Sequence, residues 1–128
     1  MERFLLRVDT ALRVRMHPVE QVTENRLCDL LACDVTERMR AFEVPAAFAE
    51  QGIRLCYYID GRGGERALPA NLCATCFYHT GCAVYGDMLL AAVCGDTVRG
   101  FSMQEAEQLS AWLKEQMPFL QNDGCSAL

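Results

Sequence analysis

The stretch Ile53-Arg54-Leu55-Cys56-Tyr57-Tyr58-Ile59-Asp60 is the strongest strand signal in the chain, because β-branched and aromatic residues dominate it. The turn sequence DGRGG follows at residues 60–64, and residues 65–68 are predicted to return as the second strand of a hairpin. Residues 82–85 and 88–94 also read as strands, on either side of a glycine. The middle of the chain therefore predicts an antiparallel sheet.

The N-terminal part predicts a second hairpin followed by a helix. Apolar and charged residues alternate over 2–8 and again over 11–16, with a short turn between them. One face of this hairpin is apolar and carries Phe4, Leu6, Val8, Leu12, Val14 and Met16. Pro18 suits the first turn of a helix, and an apolar stripe continues from there to about residue 33.

The C-terminal part predicts a second main helix over about 103–117. Ser102 and Glu105 form a capping box ahead of an apolar stripe, and Pro118 ends the helix. Weaker signals predict a strand at 36–42, a connector at 43–52 and a short helix within 69–78. The fold class predicted is α+β: a single domain over residues 1–118, with a mixed, mostly antiparallel sheet, two main helices (about 18–33 and 103–117) and a flexible tail at 119–128.

Composition narrows the classes of function. A chain of 128 residues with 52% hydrophobic and 23% charged residues is typical of one globular domain. It has no apolar stretch near the roughly 20 residues of a membrane span, and charges at positions 2, 3, 7 and 9 interrupt any signal-peptide core. A cytoplasmic protein without membrane contact is expected. The formal net charge of -5 disfavours a general nucleic-acid binder.

The eight cysteines are expected to be reduced, and most of them buried in the core. Their density is below that of a disulfide scaffold, and without an export signal the reducing compartment is the better assumption. No intramolecular disulfide is predicted.

One cysteine-rich segment has the ligand types of a zinc site: Cys73, Cys76, His79 and Cys82. Its uniform spacing of three residues is unsuitable, because successive ligands would rotate by about 60° around an α-helix. Core cysteines without a cofactor are therefore preferred, and zinc is the alternative, including a site that combines Cys73 and Cys76 with Cys56 or Cys94. A Cys76–His79 nucleophile lacks an identifiable third group, so the chain is not expected to be an enzyme.

The second candidate site is a face of arginines on the N-terminal hairpin. Strand alternation places Arg3, Arg7, Arg13 and Arg15 opposite the apolar face. Guanidinium groups gathered on a sheet face can bind phosphate or a partner's carboxylates. The competing interpretation is a solvated face balanced by neighbouring acids.

Residues 27–113 resemble a small uncharacterised domain family carried by phages, plasmids and conjugative elements. The shared features, in order, are LCDLLACD at 27–34, IRLCYYID at 53–60, LPAN at 68–71, VYGDMLLA at 84–91 and GFSMQEAEQLSAWL at 100–113. The resemblance implies a mobile-element context and supplies no activity. In that family ordinary apolar or small residues stand at the positions of Cys73, Cys76 and Cys82.

Together these patterns predict a non-enzymatic accessory or interaction protein of a mobile genetic element. Its partner is expected to be a macromolecule, a protein rather than a nucleic acid, and a homodimer is compatible with the same patterns. The alternative is a small zinc-binding regulatory domain that uses the segment from Cys73 to Cys82.

Overall fold

The computed structural model describes residues 2–41, 43–78 and 82–122. In chain order its elements are β1 (Phe4–Val8), β2 (Arg13–Pro18), α1 (Glu24–Leu31), β3 (Thr36–Arg40), α2 (Ala46–Glu50), β4 (Ile53–Asp60), α3 (Leu72–Tyr78), β5 (Met88–Cys94), β6 (Thr97–Arg99), α4 (Met103–Gln116) and β7 (Gln121–Asn122). Of the predicted tail, Leu120 is buried and residues 121–122 form β7, whereas residues 123–128 lie outside the described part.

The strands form one sheet in the order β3-β4-β5-β1-β2-β7, with β6 paired to β5 beside the end of β1. Neighbouring strands are antiparallel except for the parallel pair of β2 and β7. The predicted α+β class, with a mostly antiparallel sheet in a single domain, is confirmed.

Helices cover both faces of the sheet. On one face α2, α3 and α4 enclose the larger core, which includes Tyr57, Leu90, Phe101 and Leu109. On the other face α1 packs Leu27 against a smaller cluster. The central strands β4 and β5 are therefore buried on both sides, which explains why their sequences are continuous apolar runs rather than alternating ones.

The prediction that the first helix starts near Pro18 is wrong. The hairpin of β1 and β2 extends as far as the pair Phe4–Pro18, so Pro18 ends a strand. The chain then turns, and α1 begins at Glu24 after Thr23, whose side chain accepts a hydrogen bond from the backbone N–H of Arg26. The second main helix agrees closely with its prediction, because Ser102 and Glu105 form both hydrogen bonds of the capping box.

The predicted return strand at 65–68 is also wrong. Residues 61–67 form successive turns, in which the N–H of Leu68 donates to the carbonyl of Gly63. Likewise, residues 82–85 contribute only an isolated bridge between Tyr85 and Ala70. The strand that pairs with β4 on its outer side is instead β3, which precedes it in the chain.

Candidate functional site

The predicted arginine face of the N-terminal hairpin is only partly open. Leu6, Val8 and Val14 pack in the larger core, as the alternation predicted, and Arg7 pairs with Arg15 on the opposite face. That opposite face, however, is the one against which α1 packs. The Arg7 guanidinium donates to the carbonyl of Leu30 in α1 over 3.0 Å.

Each of the four predicted arginines also faces an acidic side chain. Arg7 is paired with Asp87, and Arg3 lies 3.7 Å from Glu105. A single carboxylate, that of Asp9, lies 3.6 Å from Arg13 and 3.5 Å from Arg15. These ion pairs offset much of the positive charge of the face. Partner binding by Arg3, Arg7, Arg13 and Arg15 stays a prediction.

The cysteine-rich segment is divided between the core and the surface. Cys73 is fully buried in the larger core, and burial raises the pKa of its thiol to about 12. Cys76 and Cys82 are exposed, whereas His79 lies outside the described residues. Within residues 2–41, 43–78 and 82–122, no three His, Cys, Asp or Glu side chains are grouped as metal ligands. The zinc hypothesis for Cys73, Cys76, His79 and Cys82 stays a prediction.

A different arginine cluster surrounds a cavity of about 330 Å³ on the α1-facing side of the sheet. We call it the arginine cleft. Its exposed rim is formed by Arg38, Arg40 and Arg54, and its buried floor by Cys56 and Val93. Ala41, Val44 and Leu55, which pack with the larger core, complete the lining. Its volume lies at the small end of the range for ligand sites, about 300–1,000 Å³.

Strand register brings these side chains together. In the antiparallel pair of β3 and β4, Arg40 lies opposite Cys56 and Arg38 opposite Tyr58. Arg54 stands two residues before Cys56 and opposite Val93 of β5. Paired residues and residues two apart share a face of the sheet, so all three guanidinium groups lie on one side. None of the residues that line the cleft belongs to α1.

The thiol of Cys56 in the floor of the cleft and the neighbouring phenol of Tyr58 both stay protonated at neutral pH. Burial raises the pKa of Cys56, although the nearby Arg38 opposes that shift. Burial, together with the neighbouring Cys56, raises the pKa of Tyr58 to about 12. At the rim, Arg54 donates to the carbonyl of Gly95 over 3.2 Å. The arrangement offers cationic donors above an apolar base.

The sequence contains a signal for this arginine cluster, although the overall composition does not reveal it. Arg38 and Arg40 alternate in one strand, and Arg54 and Cys56 alternate in the next. The arginines point to one site only once β3 is known to pair with β4 in this register. The sequence predicts that residues 65–68 return to pair with β4. That prediction leaves β3 without a neighbouring strand, so the sequence alone does not reveal the arginine cluster.

A larger surface depression of about 760 Å³ lies beside α1, near the start of β1. Its lining mixes two acids, Glu2 and Glu20, with Arg3 and Arg26. Charges of both signs give no preference for one ligand charge. We therefore take the arginine cleft as the candidate site.

Comparison with known proteins assigns neither a family nor a function to this chain. No protein-family model matches the chain, and neither a curated protein nor a solved structure is significantly similar to it. Within the part of the chain that the structure describes, none of the helices has the length and apolar character to span a bilayer.

Proposed function

We propose that the protein is a non-enzymatic interaction protein that binds an acidic segment of a partner protein in the arginine cleft. The observation that carries the proposal is the convergence of Arg38, Arg40 and Arg54 around an apolar floor. The proposed setting is the cytoplasm of a host that carries a mobile element. Its mobile-element part rests on the sequence resemblance, and its cytoplasmic part rests on the prediction from the sequence that the cysteines are reduced.

The chemistry of the cleft favours carboxylates on a protein. Guanidinium groups bind carboxylates with two parallel hydrogen bonds, and they do so best beside apolar surface where water is scarce. A cavity of about 330 Å³ accommodates a few side chains rather than the backbone of a duplex. The net charge of -5 also opposes long-range attraction of nucleic acid.

Binding is favoured over catalysis because the cleft has no activated nucleophile among its described residues. The raised pKa of Cys56 keeps its sulfur as a thiol at neutral pH, whereas the thiolate is the reactive form. The thiol is also only 2% exposed. In this proposal Cys56 is part of the apolar floor.

The test compares two arginine surfaces with one probe. A short fluorescent peptide of alternating glutamate and valine is titrated with the wild-type protein and with two double variants. We expect Arg38→Gln with Arg54→Gln to weaken binding at least about tenfold, the equivalent of 1.4 kcal/mol. Arg13→Gln with Arg15→Gln removes the same charge from the N-terminal hairpin and should leave the affinity within about twofold. Binding should weaken as salt is added.

Two results would contradict the proposal. The first is a wild-type protein that does not bind the acidic peptide at low salt. The second is a loss of binding in the Arg13 and Arg15 variant alone, which would place the partner site on the face predicted from the sequence. Circular dichroism spectra of both variants establish that they remain folded.

The zinc-binding alternative has a direct test of its own. Protein purified without added zinc is analysed for metal by mass spectrometry, with Cys76→Ser plus Cys82→Ser as the comparison. Stoichiometric zinc that the double variant loses would replace the interaction proposal with a metal-binding one.

A further inference from the structure

We propose that the acidic partner segment binds as an added antiparallel strand along the outer edge of β3, with acidic residues at alternating positions. This inference rests on the proposed function and adds to it a binding mode and a sequence pattern. Extended peptides often bind by adding a strand to an open sheet edge, where the main chain supplies affinity and side-chain sites supply specificity.

β3 occupies the end of the sheet. It pairs with β4 on one side, and within the described residues no strand pairs with its other side. The N–H of Ala41 donates to the carbonyl of Leu55 over 3.2 Å, which makes Ala41 and Leu55 a hydrogen-bonded pair. Backbone groups alternate in direction along a strand. Those of Met39 therefore point toward β4, and those of Arg38 and Arg40 point toward the outer edge.

The protein already satisfies one outward N–H of this edge with a carboxylate. The backbone N–H of Thr36 donates to Glu24 of α1 over 3.0 Å, and the Thr36 hydroxyl donates to the same oxygen over 2.6 Å. That contact closes the Thr36 end of the edge. The other outward positions of β3 are Arg38 and Arg40, and both line the arginine cleft.

The register of an added strand determines its side-chain pattern. Residues directly opposite each other in paired strands have their side chains on the same face. Partner residues opposite Arg38 and Arg40 would thus lie beside the two guanidinium groups, and Arg54 would add a third cation on that face. The residue between them would lie on the other face beside Met39, which is 8% exposed. The preferred segment is therefore acidic–apolar–acidic.

A second copy of this chain fits the same edge poorly. Antiparallel pairing of two β3 strands centred on Arg38 or Arg40 would place arginine opposite arginine, and like charges directly opposite one another destabilise a sheet. A different protein with an acidic extended segment is the better occupant.

The test changes the backbone of the peptide and leaves the protein intact. Two N-methylated versions of the glutamate–valine peptide are compared with the unmodified peptide. One carries the methyl groups on the backbone nitrogens of the two central glutamates, and the other on those of the two central valines. The first change blocks amides that would donate to β3. The second alters amides that would point away. We expect glutamate methylation to weaken binding about tenfold or more, as expected for losing two hydrogen bonds, and valine methylation to change it less than threefold.

A peptide of the same composition with glutamates in one block and valines in another gives a second comparison. We expect it to bind at least about fivefold more weakly, because two carboxylates on the arginine face would then be separated by a third carboxylate beside Met39 instead of by an apolar side chain. Equal binding of both methylated peptides and of the block peptide would overturn strand addition while leaving the acidic-segment proposal intact. Failure of the unmodified peptide to bind would overturn the proposed function itself. Concentration-dependent dimers that the acidic peptide dissociates would assign the edge to a second copy.

Discussion

Two N–H groups of Arg7 donate to a single carboxylate oxygen of Asp87, with Nε at 3.0 Å, and so link β1 to the turn before β5. The other oxygen of Asp87 accepts the backbone N–H of Thr10 over 3.1 Å. Arg7 also donates to the carbonyl of Leu30 at the end of α1. The pair therefore joins the hairpin, the helix and the central sheet.

Asp87→Asn should destabilise the protein by about 1.5–3 kcal/mol, because the neutral amide leaves the Arg7 guanidinium without its counter-charge and has one acceptor oxygen, which can serve Arg7 or Thr10 but not both. Urea unfolding followed by circular dichroism measures the change. Arg13→Gln is the matched control, since its partner Asp9 also pairs with Arg15 and the Arg13 side chain is 48% exposed. A control as damaging as Asp87→Asn would refute a special role for the Arg7–Asp87 pair.

Replacing Asn71 should destabilise the protein more than replacing most of its other polar residues. Its fully buried side chain donates to the carbonyls of Val8 and Gly86 over 3.0 Å each, and its oxygen caps α3 by accepting the N–H of Ala74. Asn71→Ala leaves those groups buried without partners, at a cost of at least about 2 kcal/mol. The exposed Asn25 provides the comparison: Asn25→Ala should stay within about 0.5 kcal/mol. Similar urea midpoints for the two variants would contradict this account.

Gly86→Ala should destabilise the protein by more than about 1 kcal/mol. Gly86 has φ +89°, and an added Cβ would lie 3.0 Å from a methyl carbon of Leu68. Gly52 has φ +73° with nothing within 4 Å of the added Cβ, so Gly52→Ala isolates the backbone strain from the steric contact. We expect Gly86→Ala to be the more damaging of the two in urea denaturation. An unchanged midpoint for Gly86→Ala would show that the turn relaxes freely.

Local signals predicted much of this fold, because the responsible interactions lie within a few residues of one another. The capping box at Ser102 is of this kind. The start of α1 was misplaced because Pro18 suits both a helix start and a strand end. Its pairing with Phe4 decides between them, and that pairing depends on the length of the hairpin.

The candidate site was harder to predict because it depends on which strands are neighbours. Arg40 and Arg54 meet through the pairing of β3 with β4, and β3 joins the sheet at its edge. In contrast, Arg7 and Arg15 were correctly placed on one face by alternation. Alternation does not reveal that α1 packs on that face, or that Asp9 and Asp87 supply the compensating charges.

His17 should make stability depend on pH just below neutrality. Burial, followed by the positive charges of Arg7, Arg15 and Arg26, lowers its pKa from 6.5, and Asp87 only partly opposes this. The unfolded chain then binds a proton more readily than the folded protein does. The free energy of unfolding should therefore fall as pH drops below about 6.5, where unfolded carboxylates are still ionised.

Urea midpoints measured between pH about 7.5 and 5.5 should show this decline in the wild type and a flatter profile in His17→Gln. Identical slopes for the two proteins would assign the pH dependence to other groups. His17 is a half-buried residue of β2, paired with Leu5.

The two exposed and the two buried cysteines should differ in reactivity toward thiol reagents. Cys76 and Cys82 are exposed, whereas Cys56 and Cys73 are 2% and 0% exposed. Because a thiol reagent must reach the sulfur and react with its thiolate, burial slows both steps. In the native wild-type protein we expect rapid labelling of Cys76 and Cys82. The double variant Cys76→Ser with Cys82→Ser should lack this rapid labelling. Cys56 and Cys73 should be labelled only after unfolding. Alkylation in denaturant without reductant should then modify every described cysteine, because no intramolecular disulfide is predicted. Two or more pairs of cysteines that resist alkylation in freshly purified protein would show that disulfides form. Rapid labelling of Cys73 in the native state would show that α3 does not hold it in the core.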